Sequence, residues 1–132
     1  MRLEVTRRAE LAVRAMGVLG RSSIRLKAPD LAEALGTTTA FVPQVMGPLV
    51  KAGWARSDPG PTGGYSLRAP LDEVSVLAVI EAVDGATDAG RCVVEDRACD
   101  AAHPCILHHA WGLARGELVR SLGSIRLSEL PA

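Results

Sequence analysis

The chain has 132 residues, 48% of them apolar and only 3% aromatic, with 15 basic and 15 acidic side chains. That length and composition suit one compact, helix-built unit with an aliphatic core, and no run of eighteen apolar residues is present to span a membrane. The first ten residues hold two acids and three arginines where a secretory leader would be apolar, so a cytoplasmic location is expected. Three cysteines in a reducing compartment cannot pair completely within one chain, which turns attention to metal or redox chemistry. The charge balance is only global. Residues 1–70 carry ten basic against five acidic side chains, and residues 71–132 carry five against ten, so a footprint for phosphate belongs to the first half.

In chain order, Leu11, Ala12, Ala15, Met16, Val18 and Leu19 recur at helical spacing behind Thr6 as N-cap, with Gly20 as the stop. A short second helix is predicted from Pro29 in its first turn, then Leu31, Ala32 and Leu35, closed by Gly36. Thr38 or Thr39 then caps a third helix through Val42, Val45, Met46, Leu49 and Val50 to Gly53. Pro43 fits its first turn, and Pro48 is expected to kink it. Two short strands, Trp54 to Ser57 and Tyr65 to Leu67, flank a turn rich in glycine and proline.

Two helices joined at Gly36 and followed by a hairpin predict a winged helix-turn-helix. Its recognition helix runs from Thr38 to Ala52 and brings Thr38, Thr39 and Gln44 towards bases or phosphates. Lys51, Arg56, Arg7 and Arg8 are the expected phosphate contacts, although a phosphate contact and a solvated charge look the same in sequence. A fourth helix is predicted over Asp72 to Val83, ending at Gly85. Periodicity then fails from Gly85 to Pro104, a loop long enough to need a reason. From Cys105 to about Leu122 a last helix shows Leu107, Trp111, Ala114, Leu118, Ser121 and Ile125 at alternating four and three spacing. That seam suits a partner helix, the alternative being a fold back onto its own domain.

The fold class is therefore mostly α with a small β-hairpin wing. The expected organisation is a winged helix-turn-helix DNA-binding domain over 1–84, a cysteine-bearing loop over 85–104, and a dimerisation helix and tail over 105–132. Partners implied are a second copy of the chain and a double-stranded, pseudopalindromic operator with half-sites about 34–36 Å apart or a multiple of that. No phosphate-cradling loop with a Lys-Ser/Thr pair and no nucleophile elbow occurs, so an enzyme is not expected.

Cys92, Cys99 and Cys105 fall within seventeen residues of His108, and three soft thiolates with an imidazole are the donors of a metal centre. Zinc also accepts three cysteines and a histidine, but its structural sites draw on cysteine pairs two to four residues apart, which this chain lacks. A cluster-free thiol switch is a third reading, disfavoured by the acids flanking Cys99.

Met1-Arg2-Leu3, Ala12-Val13-Arg14-Ala15-Met16, Pro48-Leu49-Val50-Lys51-Ala52-Gly53, Gly63-Gly64-Tyr65 and the stretch Val76 to Gly85 together resemble the Rrf-two family of winged-helix regulators. The resemblance covers nearly the whole chain, and three cysteines after the fourth helix resemble the cluster-binding members, which regulate iron-sulfur supply or sense nitric oxide. It implies a dimeric transcription factor whose operator binding an iron-sulfur cluster controls in response to redox state, nitric oxide or cluster status. It also implies ligation by Cys92, Cys99 and Cys105, though the first gap is one residue longer than in the family. With His108 as fourth ligand a two-iron two-sulfur cluster follows. With Glu10, matching the acid that some members supply from the first helix of the opposite subunit, a four-iron four-sulfur cluster follows. Each has a plainer reading, Glu10 as an i,i+4 partner of Arg14 and His108 as a solvated first-turn residue. Cluster-free relatives implied by the family act through a protein partner instead. The wing tip departs from the family pattern, with Asp58-Pro59 where a basic residue is common, so no minor-groove arginine is expected there.

Overall fold

The computed structural model describes residues 1–131. Helix α1 (Arg7–Arg21) starts where Thr6 accepts a hydrogen bond from Ala9 N, and it runs one residue past Gly20. Its apolar stripe, including Leu11, Ala12, Met16 and Leu19, is buried and forms the centre of the core. Helix α2 (Ala28–Leu35) has Pro29 in its first turn and ends at Gly36, whose φ of 70° is the left-handed conformation glycine adopts without a Cβ penalty. Arg14 donates to the carbonyl of Leu35, satisfying one of the free acceptors at that helix end.

The third predicted helix divides in two. Thr38 caps a single 3-10 turn over Thr39–Phe41, and helix α3 (Val42–Lys51) follows with Pro43 in its first turn and Pro48 inside it. Val42, Val45, Met46 and Leu49 face the core, and Gln44 faces solvent. Strands β1 (Ala55–Asp58) and β2 (Gly64–Leu67) form an antiparallel hairpin, Ala55 opposite Leu67 and Asp58 opposite Gly64. The wing is tied back to the domain by Leu26, which exchanges both backbone hydrogen bonds with Tyr65. Gly63 sits where a Cβ would lie 2.0 Å from the carbonyl oxygen of Asp58, so the turn closes only around a glycine.

Helix α4 (Val76–Asp84) begins four residues later than the periodicity predicts. Ser75 is its N-cap, accepting from Ala78 N, while Val74 is drawn into the core and Leu71–Glu73 make a separate 3-10 turn. Thr6 Oγ1 donates to Asp84 and Arg8 to the carbonyl of Val83, which fastens the start of α1 to the end of α4. Helix α5 (His108–Ser124) starts three residues after the expected Cys105, and none of its residues is buried within one chain.

Beyond α5 the chain does something the sequence did not announce. Ile125 accepts a hydrogen bond from Val76 N at 2.9 Å, Leu127 N donates to the carbonyl of Val74 at 3.0 Å, and Leu127 is only 4% exposed. A closing 3-10 turn over Leu127–Glu129 holds this tail in place. The C-terminal segment is therefore part of the core of the winged domain, and α5 is anchored at its far end. Among the described residues no helix is long and apolar enough to cross a membrane.

Candidate metal centre and nucleic-acid interface

The loop between α4 and α5 is irregular but not shapeless. Arg91 and Ala98 form an isolated antiparallel bridge, Cys92 N donates to the carbonyl of Arg97 at 2.8 Å, and Cys99 N donates to the carbonyl of Gly90 at 3.0 Å. This miniature hairpin sets Cys92 and Cys99 across from each other. Cys105 arrives from the start of α5, where its carbonyl accepts from His108 N and turns the chain into the helix. The three Sγ atoms all lie within 4.8 Å of one another, and His108 Nδ1 is 3.1 Å from Cys99 Sγ.

These groups line a cavity of about 160 Å³ whose remaining wall includes Asp88, Trp111, Gly112 and Arg115. All three cysteines are unpaired thiols and partly accessible. Backbone N–H groups of Glu95 and Val94 point at Cys92 Sγ and hold that thiol below its ordinary value. Burial pushes the Cys105 thiol up. Cys92 is thus the more readily ionised of those two, and a thiolate is the form that ligates metal. Three convergent sulfur donors with an imbalance of one nitrogen match the preference of iron-sulfur clusters and of zinc, and do not match hard, oxygen-seeking cations.

Glu10 stands apart from this group in the single chain. It is paired with Arg7 at 2.7 Å and with Arg14 at 3.5 Å along α1. His103 is turned to Asp100 in the exposed loop and His109 is exposed, so neither joins the thiols.

Thr38, Thr39, Gln44 and Lys51 are exposed on the turn and helix after Gly36. The Thr38 hydroxyl is engaged in capping, accepting from Phe41 N. Arg7 is exposed, while Arg8 is turned inward onto α4 and is partly buried. The wing holds a feature that spacing could not show. Asp58 is enclosed by two guanidinium groups, Arg56 at 3.0 Å and Arg25 at 3.4 Å. Asp58 is thus an internal counter-ion of the wing, and Arg56 is engaged with it. No signal in the spacing pointed to Arg25, whose link to the wing needs the three-dimensional course of the chain.

A helix-turn-helix with a hairpin wing, a basic N-terminal half and a long, largely exposed helix defines a winged-helix transcriptional regulator. Comparison with known proteins sharpens that class. The model of the Rrf2 family, described as "Iron-dependent Transcriptional regulator", matches residues 5–132, and the chain belongs to this family. It is 33% identical over 131 residues to the HTH-type transcriptional regulator IscR of Vibrio atlanticus, spanning 97% of this chain and 75% of that protein. With IscR of Aliivibrio salmonicida it shares 35% identity over 101 residues, 76% of this chain and 60% of that protein. The fold is shared with T. potens IscR, at a TM-score of 0.72 and 22% identity over 96% of this chain and 85% of that one. It is also shared with the oxidised form of CymR from Staphylococcus aureus, at a TM-score of 0.74 and 21% identity over 98% and 99% of the two chains. The chain is a transcriptional regulator and not an enzyme.

Proposed function

We propose that this regulator holds an iron-sulfur cluster on Cys92, Cys99, Cys105 and His108, and that the state of that cluster sets how a homodimer engages its operator. The observation that carries the reading is the convergence of three thiols within 4.8 Å with an imidazole 3.1 Å from one of them. His108 is the fourth ligand in this reading, since Glu10 is already paired twice on its own helix; a two-iron two-sulfur cluster follows. When bound, the cluster supplies a site that reacts with oxidants or nitric oxide and takes up or gives up an electron, with the iron at the nitrogen ligand electronically distinct.

The chain's own residues do the rest. Cys92 and Cys99 close the small hairpin, and Cys105 with His108 fixes the beginning of α5. The end of α5 is joined to the winged domain through Ile125 and Leu127. A change in how the loop grips the first turn of α5 therefore reaches α4 and the core along a single helix. Regulation requires that the ligated and free forms differ in affinity for DNA, which this connection provides for.

Dimerisation is supported by α5 itself. A 17-residue helix with no buried residue is a poor helix in isolation, and Leu107, Ala114 and Leu118 of its apolar seam are exposed in one chain. A second copy covers that seam. Thr39, Gln44, Lys51 and Arg7 then carry the DNA contacts, with Thr38 shaping the turn that presents them.

Anaerobic reconstitution followed by iron and sulfide analysis, a visible spectrum and operator binding tests the reading. Iron and sulfide in equal amounts are expected, with the spectrum changed in His108→Ala and unchanged in Glu10→Ala. A colourless protein that takes up zinc in preference to iron, or holo and apo forms that bind one operator equally, refutes it.

A further inference from the structure

The cysteine loop and α5 are tied a second time, two turns further along the helix. His108, Gly112 and Arg115 stand at i, i+4 and i+7, one stripe of α5, and all three line the cavity that the thiols enclose. From the facing wall Asp88 Oδ1 lies 3.6 Å from Arg115 Nη1, an ion pair just beyond hydrogen-bond distance. Between the imidazole and the guanidinium, Trp111 also lines the cavity, while Gly112 leaves its own position open, since a Cβ there would meet nothing within 4 Å.

Three arginines belong to this region, and they differ in how much water screens them. The Arg91 side chain is 66% exposed and pairs with Asp96, while Arg97 is 38% exposed, pairs with Glu95 and donates to the carbonyls of Ala98 and His103. Arg115 is 22% exposed, the most enclosed of the three, whereas its partner Asp88 is largely in solvent. The effective dielectric falls with enclosure, so the guanidinium of Arg115 acts on the cavity more strongly than the solvated carboxylate that holds it.

We propose that Arg115, held at the cavity wall by Asp88, raises the reduction potential of the group bound by the three cysteines. This rests on the cluster reading above. Uptake of one electron from a low-potential donor adds one negative charge to the bound group and breaks no bond, so a fixed cation at the cavity wall favours the reduced form. In this role Arg115 acts through its field and ligates nothing.

The test is an anaerobic dithionite titration with mediator dyes, followed by visible absorbance, on the full reconstituted chain and on its Arg115→Gln, Arg115→Lys and Asp88→Asn variants, with iron content measured in each. At a fixed poise, R115Q is expected to lower the ratio of reduced to oxidised protein about tenfold, which is ~59 mV for a one-electron couple. R115K stays within about threefold of the unmodified chain, and D88N, which frees the guanidinium from its hold at the cavity wall, lowers the ratio but less than R115Q does. Loss of iron in R115Q alone, with R115K fully loaded, also supports a charge requirement. An unchanged ratio in a fully loaded R115Q overturns the proposal, as does R115K behaving like R115Q or both variants losing iron, because each makes Arg115 a packing residue or a bystander. An unmodified chain that takes up no iron overturns the cluster reading and this proposal with it, whereas the earlier outcomes overturn this one alone.

Discussion

Replacing Leu127 by alanine removes three buried carbons from a tail that the winged domain has absorbed into its core. The residue is 4% exposed, so nearly the whole side chain leaves an apolar setting. Buried Leu→Ala changes cost about 2–5 kcal/mol, the spread reflecting how far each site collapses. Leu127 lies outside the α-helices, on a short segment fastened by two backbone hydrogen bonds, from Val76 N to Ile125 O and from Leu127 N to Val74 O, and such a segment settles inward more easily than a central helix. The lower half of that range, about 2–3.5 kcal/mol, is the expected loss. For a chain of this size it corresponds to a fall of roughly 8–14 °C in the unfolding midpoint. Circular dichroism melts at one fixed protein concentration measure it, since dimerisation makes the midpoint concentration-dependent. Ile24→Ala, at a position 71% exposed, is the control and is expected to change stability by less than about 0.5 kcal/mol. An L127A melt that coincides with the I24A melt refutes the claim that the tail belongs to the core. It would also remove the far anchor of α5, and with it the route from the cysteine loop to the winged domain.

Three further outcomes follow from single contacts. Ser75→Ala removes the side-chain cap of α4 and is expected to cost about 1 kcal/mol in urea denaturation, while Ser75→Thr keeps most of it. Gly63→Ala places a Cβ 2.0 Å from the Asp58 carbonyl oxygen. The wing must distort, so operator affinity is expected to drop by an order of magnitude or more in a mobility-shift titration, with the α-helical circular dichroism signal unchanged. Asp58→Asn frees Arg56 and Arg25 from their shared counter-ion. DNA binding should strengthen at low salt, and the slope of log affinity against log salt should steepen by up to about 0.9 for each arginine that reaches a phosphate. An unchanged slope means that neither arginine reaches the backbone.

The helices of the winged domain were legible because their signals are local. A cap such as Thr6, an apolar stripe at 3.6 spacing, and Gly36 at a left-handed turn act over one or two turns of chain, and α1, α2 and the hairpin stand close to where those signals put them. Where two local signals compete, spacing alone chose wrongly: Asp72 to Val76 reads as the start of a helix, yet Ser75 is the better cap and Val74 is needed in the core, so α4 begins at Val76. The third helix divides for a similar reason, Thr38 capping a tight turn before Pro43 admits the α-helix.

The candidate site was half legible. Residue type alone named Cys92, Cys99, Cys105 and His108, because thiolates and imidazole have few other uses in such a cluster. That they converge depends on the Arg91–Ala98 bridge and on the turn from Cys105 into α5, which fold a stretch with no periodicity. Arg115 and Asp88 carry no motif, and a separation of 27 positions along the chain conceals their approach. The same holds for Asp58 between Arg25 and Arg56, and for Leu127 beside Val74. The sequence by itself determined which segments are helical, which residues have the chemistry to bind metal or DNA, and which half carries the positive charge. Only the tertiary structure decided which of those residues meet, because hydrogen-bond periodicity and capping act within a few residues, whereas burial and ion pairing join groups brought together by the packing of the whole chain.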